Sequence, residues 1–356
     1  MDAIIEATIA AIPPLDAAAL AAATARQGQL TKPPGSLGRL ETLAIQIAGI
    51  TGQPRPRLTQ PAVIVLAADH GVARRGVSAY PQSVTAQMVA NFLAGGAAIN
   101  VLARHIGGGV VVVDIGVAAT LQPHPNLLSR KIALGTRDFA AHPAMTCAEA
   151  ERAVTIGIAV VAATIAEGAD LIGTGEMGIG NTTAASAIVA ALTGQPVPAV
   201  TGRGTGVDDA GWRRKVAVIE GALTLHRPDP ANALDVLAKV GGFEIGGLVG
   251  VLLGAAARRV PVVLDGFIAG AAALLACKLA PALAPHLIAA HRSVEIGHDA
   301  ALDHLGLTPL LDLDLRLGEG SGAALGMGLC RAACKLLDEM ATLGEAGISQ
   351  SSGSLR

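Results

Sequence analysis

The chain of 356 residues carries 26 Lys and Arg against 28 Asp and Glu, a formal net charge of −2. Its 51% hydrophobic and 15% charged content excludes disorder over most of its length, and 2% aromatic residues leave no basic, aromatic-studded face for nucleic acid. At roughly 150 residues per domain, two lobes or one large domain with an attachment are expected.

Residues 1–50 hold two apolar helical segments around a loop at 31–38 and show no strand pattern. With the C-terminal helix they are read as a small helical lobe, 1–50 plus 323–356, beside an α/β unit at 51–322. Asp2 and Glu6 stand where an export signal would carry Lys or Arg, so a cytoplasmic protein is expected. From residue 63, short β-branched runs alternate with longer helical ones. Runs at 63–67, 110–113, 169–172, 197–200, 260–264 and 287–290 predict strands, with 310–315 a weaker candidate. Helices are predicted between them at 84–104, 148–166, 181–192, 209–226 and 267–280. Continuous apolar runs suit strands buried on both faces of a parallel sheet. The expected fold is α/β: a doubly wound, mostly parallel sheet, Rossmann-like and in three layers. In the last helix Leu325, Leu329, Ala332, Ala333, Leu336 and Met340 fall on one face, opposite Arg331, Lys335 and Asp338. The tail from Ser349 is polar and is expected to fray.

A positive mean hydropathy raises the question of a membrane. The longest apolar stretches, 245–257 and 266–277, fall short of the ~20 residues a spanning helix needs. Longer uncharged runs at 77–103 and 177–202 are broken by Pro, Gln, Asn, Thr and Gly, so no membrane partner is expected. Cys147, Cys277, Cys330 and Cys334 form no Cys-x-x-Cys pair and read as core thiols of a reducing compartment.

In open parallel sheets, ligands bind beyond the carboxyl ends of the strands. Those ends here carry Asp69-His70-Gly71, Asp114, the string 173–183, the string 201–206, Asp265-Gly266, His291 and the string 317–322. Gly173, Gly175 and Gly178 satisfy G-x-G-x-x-G, but no acid follows about 20 residues later to hold a dinucleotide ribose. No Gly-Lys-Ser/Thr follows either, which removes a Walker loop. The string is then either a tight strand-to-helix turn or a place where backbone N–H groups and the start of a helix meet a phosphate. A second Gly/Thr turn at 201–206 favours a mononucleotide-sized ligand, with Arg203 or Lys215 as charge partner. Glu176 and Glu319 each sit among glycines without a neighbouring cation in sequence, either solvated or held for acid–base work. Asp69-His70 lacks any companion ligand spacing, so no metal is expected.

The strings TKPPGSLGRLE at 31–41, GTGEMGIGNTT at 173–183, GRGTGVDD at 202–209 and LRLGEGSGAALG at 315–326 carry a resemblance. So do the blocks at 68–100, 114–117, 263–269 and 290–298. In order over nearly the whole chain, they closely resemble the nicotinate-nucleotide:dimethylbenzimidazole phosphoribosyltransferases, which activate the lower ligand of cobalamin. The resemblance implies transfer of the phosphoribosyl group of nicotinate mononucleotide to a benzimidazole nitrogen, with inversion at C1′. Nicotinate and α-ribazole 5′-phosphate would be the products. It implies Glu319 as the base and Glu176 beside the nucleotide. It also implies nucleotide or phosphate contacts from Gly175, Gly178, Ile179, Gly180, Asn181, Thr182, Gly204, Gly206 and Lys215. The acceptor base would lie among Tyr80, Gln87, Met88 and Leu317. A homodimer without cofactor or metal is implied as well. A dehydrogenase would need the missing ribose acid, and a non-catalytic nucleotide binder would not need Glu319.

Overall fold

The computed structural model describes residues 1–349; the tail from residue 350, expected to fray, lies outside the described residues. The chain opens with α1 (Ala3–Ala10), α2 (Ala17–Gln27) and α3 (Arg39–Thr51). It continues through β1 (Pro61–Ala68), α4 (Ser83–Leu93), α5 (Ala98–His105), β2 (Gly109–Gly116) and β3 (Leu127–Ser129). Next come α6 (Cys147–Ala166), β4 (Leu171–Met177), α7 (Asn181–Thr193), α8 (Val197–Val200) and α9 (Asp209–His226). Then follow α10 (Ala233–Val240), α11 (Phe243–Ala256), β5 (Val262–Leu264), α12 (Phe267–Leu279) and β6 (Leu287–Ala289). The last elements are β7 (His291–Arg292), α13 (Gly297–Leu305), β8 (Leu311–Asp312) and α14 (Ser321–Glu339).

Six strands make one sheet in the order β3-β2-β1-β4-β5-β6, and every pairing in it is parallel. The apolar runs are explained by this burial. Along β1, Ile64, Leu66 and Ala68 enter one core with α6, α7, α10, α11 and α12. Their alternates Val63, Val65 and Ala67 enter a second core with α3, α5 and α14. Both faces are covered, which gives the three layers. On the second face α14 packs on α3 and on β1, β4 and β5, while α1 lies on the first face against α6 and α11.

Several expected elements differ. Residues 197–200 form the single turn α8 and not a strand: Pro198 has no N–H for a ladder but fits the first turn of a helix. The helix expected at 84–104 is two, α4 and α5, separated by a turn in which Gly95 has φ 76°. The segment Ser83–His105 has the length and hydropathy of a membrane span, yet that turn breaks it, and both halves pack on β1 and β2. The candidate at 310–315 shrinks to β8, which pairs with β7 outside the main sheet. The helices α10 and α11 and the short strand β3 had no counterpart among the predicted elements. In α14 the buried face holds Ala323, Met327, Cys330, Cys334 and Leu337, while Ala332 is exposed. Asp338 is buried there because it takes Arg55 Nε at 2.7 Å and Arg57 Nε at 2.8 Å.

Helices α6 and α11 cross at backbone contact. A Cβ on Gly250 would fall 2.0 Å from the Val154 carbonyl oxygen, and one on Gly157 would fall 1.9 Å from that of Gly247. Neither backbone yields without separating the helices. Gly250→Val is therefore expected to cost at least the ~3 kcal/mol at the top of the usual overpacking range. A denaturant midpoint unchanged from the parent protein would refute this.

Candidate active site

The strand order reverses between β1 and β4, and the crevice forms beyond their carboxyl ends. A cavity of about 460 Å³ opens there, within the range of small-molecule sites. Its walls come from the end of β4, the start of α7, the segment after β5, the turn after β7 and the loop before α14. The loops pin one another. Thr205 Oγ1 accepts the Ala79 N–H at 3.0 Å and bonds Ser78 Oγ at 3.1 Å, tying the 202–206 turn to the segment bearing Tyr80.

Glu319 lies in the loop before α14 and lines the cavity. It has φ 64°, between Gly318 at 83° and Gly320 at 89°. A non-glycine residue there costs on the order of 1–3 kcal/mol, and such strain gathers at functional sites. The residue is only 5% exposed, and its Oε2 has no hydrogen-bond partner among the described residues. Burial, and next the charge of Asp265, raise its pKa to about 7. Asp265 accepts the N–H of Gly320 at 3.1 Å and of Ala323 at 3.0 Å, so it fastens the start of α14. His291 Nε2 lies 3.9 Å from the same carboxylate.

Glu176 lies across Gly318 from Glu319: a Cβ on Gly318 would fall 2.5 Å from Glu176 Oε1. It is buried and accepts a hydrogen bond from Asn181 Nδ2. Burial foremost, then the charges of Asp265, Glu244 and Glu319, push its pKa well above the ordinary carboxylate range. Neighbouring carboxylates in a buried site oppose one another's ionisation, so both Glu176 and Glu319 are raised, by burial first and by neighbouring charge next.

Near the other end of the cavity lie a buried lysine and the start of a helix. Lys215 on α9 is fully buried, and its ammonium donates to Thr182 Oγ1 at 2.7 Å and to the Gly202 carbonyl at 3.4 Å. The first turn of α7 supplies Asn181 and Thr182 at the positive end of a helix. A second cavity, of about 670 Å³, adjoins on the outer side of 202–206 and shares Gly204, Glu295 and Arg316 with the first.

Glu176, Gly178, Ile179, Asn181, Thr182, Gly204, Glu319, Tyr80, Met88 and Leu317 all line the first cavity. Tyr80 and Leu317 are each 56% exposed at its mouth. The remaining predicted residues stand elsewhere. Gln87 is exposed and does not line it, because it points off the outer side of α4. Gly206 lines the outer cavity. Gly175 lies inside β4, since that strand runs on to Met177 where a loop was expected. Gly180 packs towards His70 and Ala73, and Lys215 sits behind Thr182. The Ile179 N–H is taken by Thr85 Oγ1 at 3.1 Å. Asp265, His291, Ser293, Glu295 and Arg316 were not predicted, although they line the cavity. Asp265-Gly266 and His291 were visible as polar strand ends; Glu295 and Arg316 lie within the blocks at 290–298 and 315–326 but were given no role there.

A protein-family model described as Phosphoribosyltransferase matches residues 12–348. A nicotinate-nucleotide–dimethylbenzimidazole phosphoribosyltransferase of Roseiflexus castenholzii is 71% identical over 342 residues, 96% of this chain and 97% of that protein. One of Chloroflexus aggregans is 68% identical over 343 residues, with the same coverage of 96% and 97%. The crystal structure of CobT from Thermus thermophilus superposes with a TM-score of 0.91 at 52% identity, over 94% of this chain and 100% of that one. By family model, sequence and fold, the chain belongs to the nicotinate-nucleotide–dimethylbenzimidazole phosphoribosyltransferase family.

Proposed function

We propose that the chain transfers the 5-phosphoribosyl group of nicotinate mononucleotide to 5,6-dimethylbenzimidazole, with inversion at C1′ and Glu319 as general base. One nitrogen of the benzimidazole attacks C1′ from the face opposite nicotinate. The C1′–N bond to nicotinate breaks, and its electron pair leaves on the pyridine nitrogen. The proton on the acceptor's other nitrogen passes to Glu319. The products are α-ribazole 5′-phosphate and nicotinate. The phosphate would sit in the corner made by Lys215, Thr182 and 202–206, and the flat acceptor among Tyr80, Val84, Met88 and Leu317.

The observation that carries this reading is the state of Glu319: a buried carboxylate with an unpaired oxygen, titrating at about 7. A base poised near neutrality is what proton removal from an azole requires. Glu176, which accepts from Asn181 Nδ2 and lies across Gly318 from Glu319, would stand beside the nucleotide's ribose. The same reading makes the protein a cytoplasmic homodimer, in keeping with its four free thiols.

The direct test mixes purified protein with nicotinate mononucleotide and 5,6-dimethylbenzimidazole in EDTA, and follows both products by chromatography. Stoichiometric nicotinate and α-ribazole phosphate are expected. Nucleotide binding without either product would overturn the assigned acceptor.

A further inference from the structure

Lys215 is an awkward cation. Its ammonium touches only a hydroxyl and a carbonyl, and burial pulls its pKa down to about 8, against which the charge of Glu295 works. Glu295 lies in the turn between β7 and α13, where its N–H donates to Ser293 Oγ at 3.3 Å and its carbonyl accepts the His298 N–H at 2.8 Å. The residue is 8% exposed, and its Oε2 has no hydrogen-bond partner among the described residues. A Cβ on Gly202 would fall 2.1 Å from that oxygen. Gly202 is thus held between two charges, with the ammonium on its carbonyl and the carboxylate over its Cα.

The other charged groups of this corner are engaged or turned outward. Arg203 pairs with Asp209, and Asp208 accepts the Gly211 N–H as the cap of α9. Arg213 and Arg316 are exposed on the walls of the outer cavity, and Arg214 donates to the Gly76 carbonyl at 3.1 Å. From α7 only the uncharged Thr182 reaches Lys215. We propose that Glu295 is the counter-charge that keeps Lys215 protonated in the free enzyme at neutral pH, so that the nucleotide's phosphate meets a cation there. Arriving phosphate then takes over as partner of the ammonium. This rests on the reading above that Lys215 holds the phosphate.

The test measures KM for nicotinate mononucleotide from pH 6 to 9 at saturating acceptor, in the parent enzyme and in Glu295→Gln, Glu295→Asp, Lys215→Arg and Lys215→Ala. Dividing each variant's KM by the parent's at the same pH cancels the ionisation of the ligand. Loss of one nearby opposite charge shifts a titration by about one unit. The Glu295→Gln ratio is then about fivefold at pH 8 and below about twofold at pH 6.5. Glu295→Asp, which keeps the charge, restores the parent profile. In a Lys215→Arg background, where the cation cannot lose its proton, Glu295→Gln produces no pH-dependent ratio. A Glu295→Gln ratio that is flat with pH, or that shows tighter binding throughout, overturns the proposal and makes Glu295 a bystander or a repeller of phosphate. A Lys215→Ala variant with an unchanged KM would instead sink the phosphate reading beneath it.

Discussion

Glu319→Gln is expected to lower turnover by about 10²–10⁴-fold, the usual contribution of a positioned base, while the nucleotide still binds. Glutamine fills the same space and keeps a polar head, but it cannot accept the azole proton. The pH profile gives an independent reading. The base works as the carboxylate, so kcat/KM for the acceptor should climb through pH about 7 and level off above it. Burial and Asp265 both raise this group, in that order. Asp265→Asn removes the second cause, and its midpoint should move to lower pH, part of the way back to an ordinary carboxylate. The residual activity of Glu319→Gln should lack the inflection. Activity within tenfold of the parent, or an unmoved inflection in that variant, would show that another group takes the proton.

The second large effect comes from a residue that touches no substrate. A Cβ on Gly175 would lie 2.6 Å from the backbone oxygen of Glu319 and 2.9 Å from its carbonyl carbon. Strand β4 is fixed on one side by β1, where Val65 faces Gly175, so the added methyl must displace the 318–320 turn. That turn holds Glu319 at positive φ between two glycines of positive φ, so a shift of the turn carries the carboxylate with it. A displacement near 1 Å at the base costs about 10²-fold in rate. Gly175→Ala should therefore lose kcat by that order with nucleotide KM within threefold, and with a circular dichroism spectrum like the parent's. Full activity would show that Glu319 tolerates the shift.

Much of the site was readable along the chain because its strings are local. Among the glycines at 173–180 and 318–322, Gly175 and Gly178 mark places where backbone approaches backbone, and Glu176 and Glu319 are conspicuous among them. The predicted residues that fell outside the cavity failed for spatial reasons. Gln87 and Met88 are neighbours in sequence, yet a step of one residue on α4 turns Gln87 to the outer side. Gly175 looked like loop because glycine is a weak strand former, but β1 pairs with β4 residue by residue as far as Met177 and holds Gly175 against Val65.

The amino-acid sequence alone determined the layered parallel sheet, since runs such as 63–67 are apolar on both alternating faces and require cover on each side. It also determined the family, through ordered strings that no composition imitates. It did not determine the ionisation of the carboxylates, nor the part played by Glu295. Those depend on Glu176, Asp265, Glu295 and Glu319 arriving at one cavity from separate elements. Charge in a protein is set by burial and by neighbours in space, and neither is written into the spacing of residues along the chain.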